Sequence, residues 1–339
     1  MKRLQTSTFL PGLLAAWLAM QCLATDARAD TGRCLAQARV FLAGLTPAQR
    51  NRASAPISAP DRVRWSYLPG TRPGLRMAEL DDESRRNLDA FLATALGSKG
   101  LSRAERIRST EPAEERGGGV VMGPEEFRIR FFGIEGDDLP PAWSWRFEGH
   151  HLSLHQTIVG DDIVSATPIF LGSVVREDDK GEPLGTEDRR AKRILESLTE
   201  EDRGKAMDPR RMPGDLRTAM LPEDRWSFEG GVSLARAGEQ GRRLADAIVG
   251  DLLAMQPPVA VEFLRRTWAA TPSKDIVFAW CGNRDRSRPH QWRLISPTIV
   301  VEFSHSGGDV EHGHLVLRTR SGEFSDRAPE AWRDTPIDP

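Results

Sequence analysis

The strongest constraint on the fold of this chain is a change of phase within an alternating stretch of sequence. Over residues 143–149 the apolar side chains occupy odd positions, whereas over residues 152–158 they occupy even positions. Successive side chains of a β-strand point to opposite faces, so each stretch predicts a half-buried strand. The phase changes at Gly149, which predicts a β-bulge or a very tight turn of the kind found beside active sites. One polar face would then carry Arg146, Glu148, His151, Ser153 and His155.

The order of the remaining elements indicates the fold class. Helical periodicity recurs over residues 84–96, 186–206, 239–255 and 259–268. Strand patterns recur over residues 127–131, 276–280, 290–294, 298–303 and 314–319. Because the strands come in runs, the sequence predicts an α+β fold whose antiparallel sheet carries the histidine motifs and packs with several helices. We expect residues 207–231 to be irregular and the charged residues of 186–206 to face solvent.

The N-terminus has the pattern of a secretory signal peptide. Lys2 and Arg3 precede an apolar run over residues 9–23, and small residues suited to a signal peptidase follow at Ala27 and Ala29. The apolar run is shorter than the roughly 20 residues that span a bilayer, so we expect no stable membrane anchor. Removal of residues 1–29 would leave one α+β domain over residues 30–339, in which residues 30–116 could form a helical subregion. The protein is thus expected to be periplasmic or secreted.

Charge and cysteine content narrow the classes of function. Loss of the signal removes three of the 47 basic residues and one of the 49 acidic residues, which leaves a net charge near −4. Nucleic acid is therefore not an expected partner, since its binding normally needs a basic face. Only Cys34 and Cys281 remain, and they could form one disulfide, although their spacing does not decide this. With so few thiols, any metal site must use imidazole and carboxylate groups.

The histidines indicate where such a site would lie. All seven lie between residues 150 and 314, and His312 and His314 share one face of a predicted strand about 6.6 Å apart, so that both could reach one ion. His151 and His155 would be about 13 Å apart along a strand and could not both bind one metal without distortion, so His155 is the weaker candidate. We take His150, His151, His312 and His314 as candidate metal ligands.

Two further residues could complete an active site. Glu302 follows an apolar strand and could act as a ligand or general base, although a carboxylate in that position is also typical of an ion pair. Arg146 could orient a substrate or simply pair with Glu148. Several imidazoles with one carboxylate and an open position are typical of catalytic zinc and non-haem iron sites.

The sequence therefore predicts an exported metal-dependent enzyme that acts on a small or carbohydrate-like substrate by hydrolysis or oxidation. The divalent ion could be zinc, iron or copper. The alternative is a non-catalytic periplasmic protein that binds a metal or a small ligand. A third interpretation gives the histidines only structural hydrogen bonds.

The motifs resemble an exported bacterial and fungal family known only as a domain of unknown function, number 3500 in its series. The resemblance is carried by residues 143–153, Pro168 to Gly172, Phe278-Ala279-Trp280, Pro297 to Glu302 and His312-x-His314. It runs along most of the mature chain. It implies that the four candidate ligands belong to shared motifs, but it brings no activity or cofactor. The chain has His155 where the family tends to have asparagine, and Arg318-Thr319 where the family tends to have an Arg-Asp pair.

Overall fold

The computed structural model describes residues 31–116, 120–136, 138–178, 180–208, 210 and 212–325. The predicted signal peptide, residues 1–29, lies outside the described residues. Within the described part of the chain, no helix is both long enough and apolar enough to cross a membrane. The architecture is α+β, as the sequence predicts: helices pack against a large, mostly antiparallel sheet.

The helices begin and end largely where local sequence signals place them. Thr46 caps α2 through a capping box with Gln49, and Asp81 caps α3 by accepting a hydrogen bond from Ser84 N at 2.8 Å. Gly97, with φ of 70°, interrupts α3 at the predicted stop, but helix resumes beyond it. The helices are α1 (31–43), α2 (Pro47–Ala53), α3 (Asp82–Ser109), α4 (Gly185–Ser197), α5 (Glu200–Ala206), α6 (Gly238–Leu253) and α7 (Pro258–Ala270).

Twelve of the described strands form one sheet, in the order β1-β5-β6-β7-β9-β14-β13-β12-β11-β10, with β2 beside β5 and β8 beside β7. All pairings in it are antiparallel except that of β1 with β5. The separate hairpin β3–β4 lies apart from this sheet. The strands are β1 (Ser54–Ala55), β2 (Leu75–Arg76), β3 (Glu114–Arg116), β4 (Val120–Met122), β5 (Arg128–Phe132), β6 (Ala142–Glu148), β7 (Leu152–Val159), β8 (Asp162–Ser165), β9 (Ile169–Ser173), β10 (Val232–Ser233), β11 (Val277–Gly282), β12 (His290–Ile295), β13 (Ile299–His305) and β14 (Gly313–Thr319).

The two faces of the sheet are covered differently. One face is apolar and packs against α1, α3, α4, α6 and α7 to form the main hydrophobic core. The other face is largely polar and is covered by two irregular segments, residues 56–72 and 212–231. A small second cluster fills the space between them and the sheet; it contains Trp65, Tyr67, Phe170, Leu216, Val316 and Phe324. The histidine motifs meet this second, polar side.

The structure corrects one expectation about the charged helices. We predicted that the charged residues of 186–206 face solvent, but Glu187 and Asp188 are only 1% and 3% exposed. Glu187 forms an ion pair with Arg103 of α3, and Asp188 accepts hydrogen bonds from three side chains of the sheet region. Carboxylates can be buried here because each has cationic or N–H partners.

Cys34 and Cys281 do not form the disulfide that the sequence left open. Both are buried and neither is part of a disulfide; Cys34 lies on α1 and Cys281 on β11.

Candidate metal centre

The turn between β6 and β7 places two adjacent histidines at the end of a hairpin. Glu148 pairs with Ser153, and Gly149 N donates to Leu152 O at 2.9 Å, so His150 and His151 alone form the tip. The sequence predicts either a β-bulge or a very tight turn here, and the structure has the tight turn. A Cβ atom on Gly149 would lie 2.6 Å from the Phe127 ring, which explains why this position has no side chain.

A single carboxylate fixes both rings of this turn. Glu111, which follows α3, lies with Oε1 2.9 Å from Nδ1 of His150 and Oε2 2.6 Å from Nδ1 of His151. Burial alone would raise the pKa of Glu111, but the hydrogen bonds and charges of the two rings outweigh it and lower the pKa to about 2. An ionised carboxylate only accepts hydrogen bonds, so both Nδ1 atoms donate. An imidazole that carries its only proton on Nδ1 has a lone pair on Nε2.

The second pair of histidines lies at the start of β14. His312 Nε2 is 2.9 Å from His151 Nε2. The His314 ring lies 4.6 Å from that of His312 and 5.6 Å from that of His151, measured between ring centroids. Asp215, from the segment over the polar face, lies with Oδ1 2.7 Å from His314 Nδ1. The four imidazoles are thus neighbours, although the two motifs are about 160 residues apart in the chain.

The nitrogen His314 Nε2 is buried and has no hydrogen-bond partner among the described residues. Burial would raise the pKa of Asp215, but the hydrogen bond and charge of His314 lower it, so Asp215 is ionised and accepts from His314 Nδ1. Because His314 Nδ1 donates to Asp215, its Nε2 is the ring nitrogen left for a further partner. A buried polar atom without a partner is costly and calls for an explanation, of which an ion is one.

Local packing sets the position of His151. Gly172 on β9 lies beneath its ring, where a Cβ atom would be 2.5 Å from His151 Cδ2, and Gly172 N donates to His151 O at 2.7 Å. The same glycine pairs with His314 across β9 and β14. Gly172 therefore allows the hairpin tip and β14 to approach each other.

Burial keeps the central rings neutral. Desolvation lowers the pKa of His151 to about 4, although the hydrogen bond from its ring to Glu111 opposes this change. Desolvation and the neighbouring rings of His314, His151 and His150 lower the pKa of His312 to about 3. Neutral imidazole is the form that binds metals, so His151 and His312 are in their ligating state at neutral pH.

Ring nitrogens of His150, His151 and His312 lie within 4.8 Å of one another, a spacing that one metal ion could bridge. These three residues were all predicted as ligands. His314 lies next to this group, at the ring distances given above, and supplies the unpartnered nitrogen.

Glu302 is not part of this group, and the expectation that it completes the site does not fit its surroundings. Ser304, and not Glu302, pairs with His314 across β13 and β14. The Glu302 carboxylate accepts hydrogen bonds from the backbone N–H groups of Arg217 and Thr218 and from two side chains. Glu302 therefore fastens the segment 212–231 to the sheet.

The contacts of Arg146 also stabilise the fold and do not involve the histidine cluster. Its side chain is 3% exposed, forms an ion pair with Glu148 at 3.0 Å, and donates to the backbone carbonyls of Asp61 and Arg64. The alternative interpretation, pairing with Glu148, fits this placement, and a role in orienting substrate does not. Arg146 holds the segment 56–72 against the sheet.

The histidines left outside the predicted site lie apart from it. His155 Nε2 is 2.5 Å from the carbonyl oxygen of Thr167, and its ring stacks on Phe324 with a centroid distance of 4.4 Å. His290 bonds through both ring nitrogens and stacks on Trp280.

Sequence reasoning missed Glu111 and Asp215, the two carboxylates that orient the rings. They lie 40 and 99 residues from the histidines that they contact. Each is one acidic residue among many in a turn-rich stretch, and neither lies in a periodic pattern or a motif. Only the tertiary fold identifies them.

No curated protein and no solved structure matches the chain. A family model described as "Protein of unknown function (DUF3500)" matches residues 27–326. This span covers most of the chain and includes all four clustered histidines and both carboxylates. The family resemblance seen in the sequence is confirmed, and the chain belongs to the DUF3500 family.

Proposed function

We propose that this protein is an exported metal-dependent enzyme whose ion is bound by His150, His151, His312 and His314. One observation carries the proposal. Glu111 and Asp215 hold the Nδ1 atoms of three of these imidazoles, so that three Nε2 lone pairs are available in one buried region. Histidine ligands in metal proteins almost always donate their other ring nitrogen to a carboxylate, a carbonyl group or water.

The donor set indicates which ions fit. Imidazole nitrogen suits zinc, copper, iron and nickel, whereas magnesium and calcium prefer oxygen ligands. The 2.9 Å between Nε2 of His151 and Nε2 of His312 is close to the spacing of two nitrogens that bind one ion at about 2.0–2.1 Å. An ion bound there could polarise a substrate or lower the pKa of a bound water, and a redox-active ion could support oxidation. The substrate would be a small or carbohydrate-like molecule.

The second candidate is a protein that binds a metal without catalysis. It is favoured by burial, since His151 and His314 are only 1% and 2% exposed. If all four imidazoles bind the ion at once, a tetrahedral ion has no open position for water or substrate. Three bound imidazoles with one position open would instead favour the enzyme.

Elemental analysis of protein purified without an affinity tag tests the metal site. We expect about one zinc, copper or iron ion per chain, and loss of that ion in His312→Ala and His314→Ala. His155→Asn is the matched control, because His155 is a buried histidine outside the cluster, and this variant should keep the ion. Absence of metal in the unaltered protein, before and after reconstitution, would refute the proposal.

Cobalt substitution separates the enzyme from the binding protein. Cobalt(II) replaces zinc in imidazole sites, and its visible spectrum reports the number of ligands. Added azide should change the spectrum if one position is open to a small molecule. An unchanged four-coordinate spectrum would reject the enzyme and retain the metal-binding protein.

A further inference from the structure

A cleft of about 540 Å³ opens on the polar side of the sheet, and none of the four clustered histidines lines it. Its size is typical of sites for small organic molecules, which are about 300–1,000 Å³. Two irregular segments and the end of β14 form its walls. Residues from each wall include Val63, Arg64, Trp65, Leu221, Arg320 and Phe324.

Backbone strain is concentrated at this cleft. Among the described residues, the non-glycine positions with positive φ are Ala219 (39°) and Phe324 (55°). Phe324 lines the cleft, and Ala219 directly precedes the lining residue Met220. Such conformations cost about 1–3 kcal/mol each and tend to occur at binding and catalytic sites.

One buried arginine holds both strained segments in place. Arg318 Nη1 donates to the carbonyl groups of Ala219 at 3.0 Å and Leu221 at 2.8 Å. Its Nε and Nη2 donate to the Glu323 carboxylate at 3.0 and 2.6 Å, next to Phe324. The walls are therefore fixed in advance, which lowers the entropy cost of binding.

The chemistry of the walls indicates the class of ligand. Val63 and Leu221 expose 49% and 37% of their surface at the rim, which is apolar surface without a cover. The exposed guanidinium of Arg64 has no ion-pair partner within the described part of the chain. The walls carry three guanidinium groups, those of Arg64, Arg318 and Arg320, and two carboxylates, those of Glu223 and Glu323. The cleft thus combines apolar surface with one uncompensated positive charge.

The cleft also adjoins the histidine cluster through aromatic rings. The Trp65 ring lies 5.5 Å from that of Tyr67, and the Tyr67 ring lies 4.9 Å from that of His314. A molecule in the cleft would therefore pack against the same aromatic layer that supports a candidate ligand.

We infer that this cleft binds a small organic anion, with one acidic group near Arg64 and an apolar or aromatic body between Val63, Leu221 and Phe324. The inference does not depend on the metal site. Guanidinium groups bind carboxylates and sulfonates through charge-assisted hydrogen bonds, and the apolar rim loses its exposure to water when the body of the ligand is bound.

The test uses 8-anilinonaphthalene-1-sulfonate, an aromatic anion whose fluorescence rises in apolar sites, in titrations followed by fluorescence and calorimetry. We expect one site per chain and competition by 1-naphthoate but not by the uncharged 1-naphthalenemethanol. Arg64→Gln should weaken binding roughly tenfold, because a charged partner is lost. Leu221→Asp should weaken binding at least as much, since it adds a negative charge to the apolar rim.

Two controls separate the cleft from general surface effects. Arg243→Gln changes an exposed arginine of α6, and Phe263→Asp changes an exposed aromatic residue of α7; both should bind the dye as the unaltered protein does. Thermal unfolding of each variant shows that the fold is retained. Equal binding by Arg64→Gln and the unaltered protein, or several weak sites per chain, would overturn the inference. Metal content measured on the same samples distinguishes this failure from failure of the metal site.

Discussion

Replacement of Glu111 with glutamine tests whether one carboxylate sets the ligating state of two histidines. The two oxygens of Glu111 accept from Nδ1 of His150 and Nδ1 of His151 at 2.9 and 2.6 Å. Glutamine has one carbonyl oxygen and one NH₂ group, so only one ring can still donate to it. The other ring would accept from the NH₂ group at Nδ1. Its proton would then lie on Nε2, where no lone pair remains for a metal.

The size of the effect follows from the number of rings affected. Loss of an outer partner of one metal-bound histidine typically costs about 10- to 100-fold in affinity. Glu111→Gln disturbs one of the two rings, so we expect a loss in this range, which corresponds to about 1.4–2.7 kcal/mol. Glu111→Ala removes the acceptor from both rings and should exceed the effect of glutamine. Because the pKa of Glu111 is lowered to about 2, the carboxylate stays ionised under all ordinary assay conditions.

The assay is a zinc competition titration against a chromophoric chelator at pH 7. Glu105→Gln is the matched control, since Glu105 is an exposed residue of α3, the helix that Glu111 follows, and the zinc affinity of this variant should equal that of the unaltered protein. Thermal unfolding of the metal-free variants shows whether the fold survives the substitution. If Glu111→Gln binds zinc as tightly as the unaltered protein, the orienting role of Glu111 is wrong.

Three further outcomes are expected. Gly172→Ala should displace His151 and lower zinc affinity at least about tenfold, because a Cβ atom there would lie 2.5 Å from the ring. Gly204→Ala is the control, since open space surrounds this glycine, and it should leave the zinc affinity unchanged. The same competition titration measures both variants. Burial lowers the pKa of His155 to about 3, whereas the pKa of histidine in the unfolded chain is near 6.5. The unfolded state therefore takes up the proton first, and folding stability falls as pH drops from about 6.5 toward 3. His155→Asn should remove up to about 1.4 kcal/mol per pH unit of this dependence, measured by urea unfolding across that range, and an unchanged pH slope would contradict it. Saturating zinc, at about 100 times its dissociation constant, should stabilise the fold by about 2.7 kcal/mol and raise Tm by several degrees, and a chelator should reverse the shift.

The elements predicted from local patterns are confirmed by the structure. The helix over residues 84–96, which Asp81 caps and Gly97 interrupts, depends on neighbours within a few residues, so its range can be predicted from the sequence alone. The change of phase at Gly149 likewise predicts a break in the strand pattern, a β-bulge or a tight turn, because alternation records which face of each strand is buried; the structure has the turn. These features hold because local preference and tertiary packing agree.

What the sequence could not supply is the choice of partner for each buried charge. Glu302 and Glu111 are both buried carboxylates near polar groups, yet one binds backbone N–H groups of the segment 212–231 and the other binds two imidazoles. Both residues are glutamates, so only the packing of distant segments determines which partners each carboxylate binds. The same holds for Asp188, which looked solvent-exposed in a charged helix but turns toward the sheet.

The contrast among the buried histidines separates a structural ring from a ligand. His290 has an acceptor at each ring nitrogen and leaves no atom for an ion. His155 has an unbonded nitrogen, but the charge of nearby Arg146 repels any cation there. His314 also has an unbonded nitrogen, yet its neighbours are the rings of His151 and His312, whose pKa values burial lowers, and the carboxylate of Asp215, which favours a cation. A buried nitrogen without a partner costs about 1–3 kcal/mol. An ion would offset this cost at His314 and not at His155, so the surrounding charge, and not the histidine itself, locates the metal site.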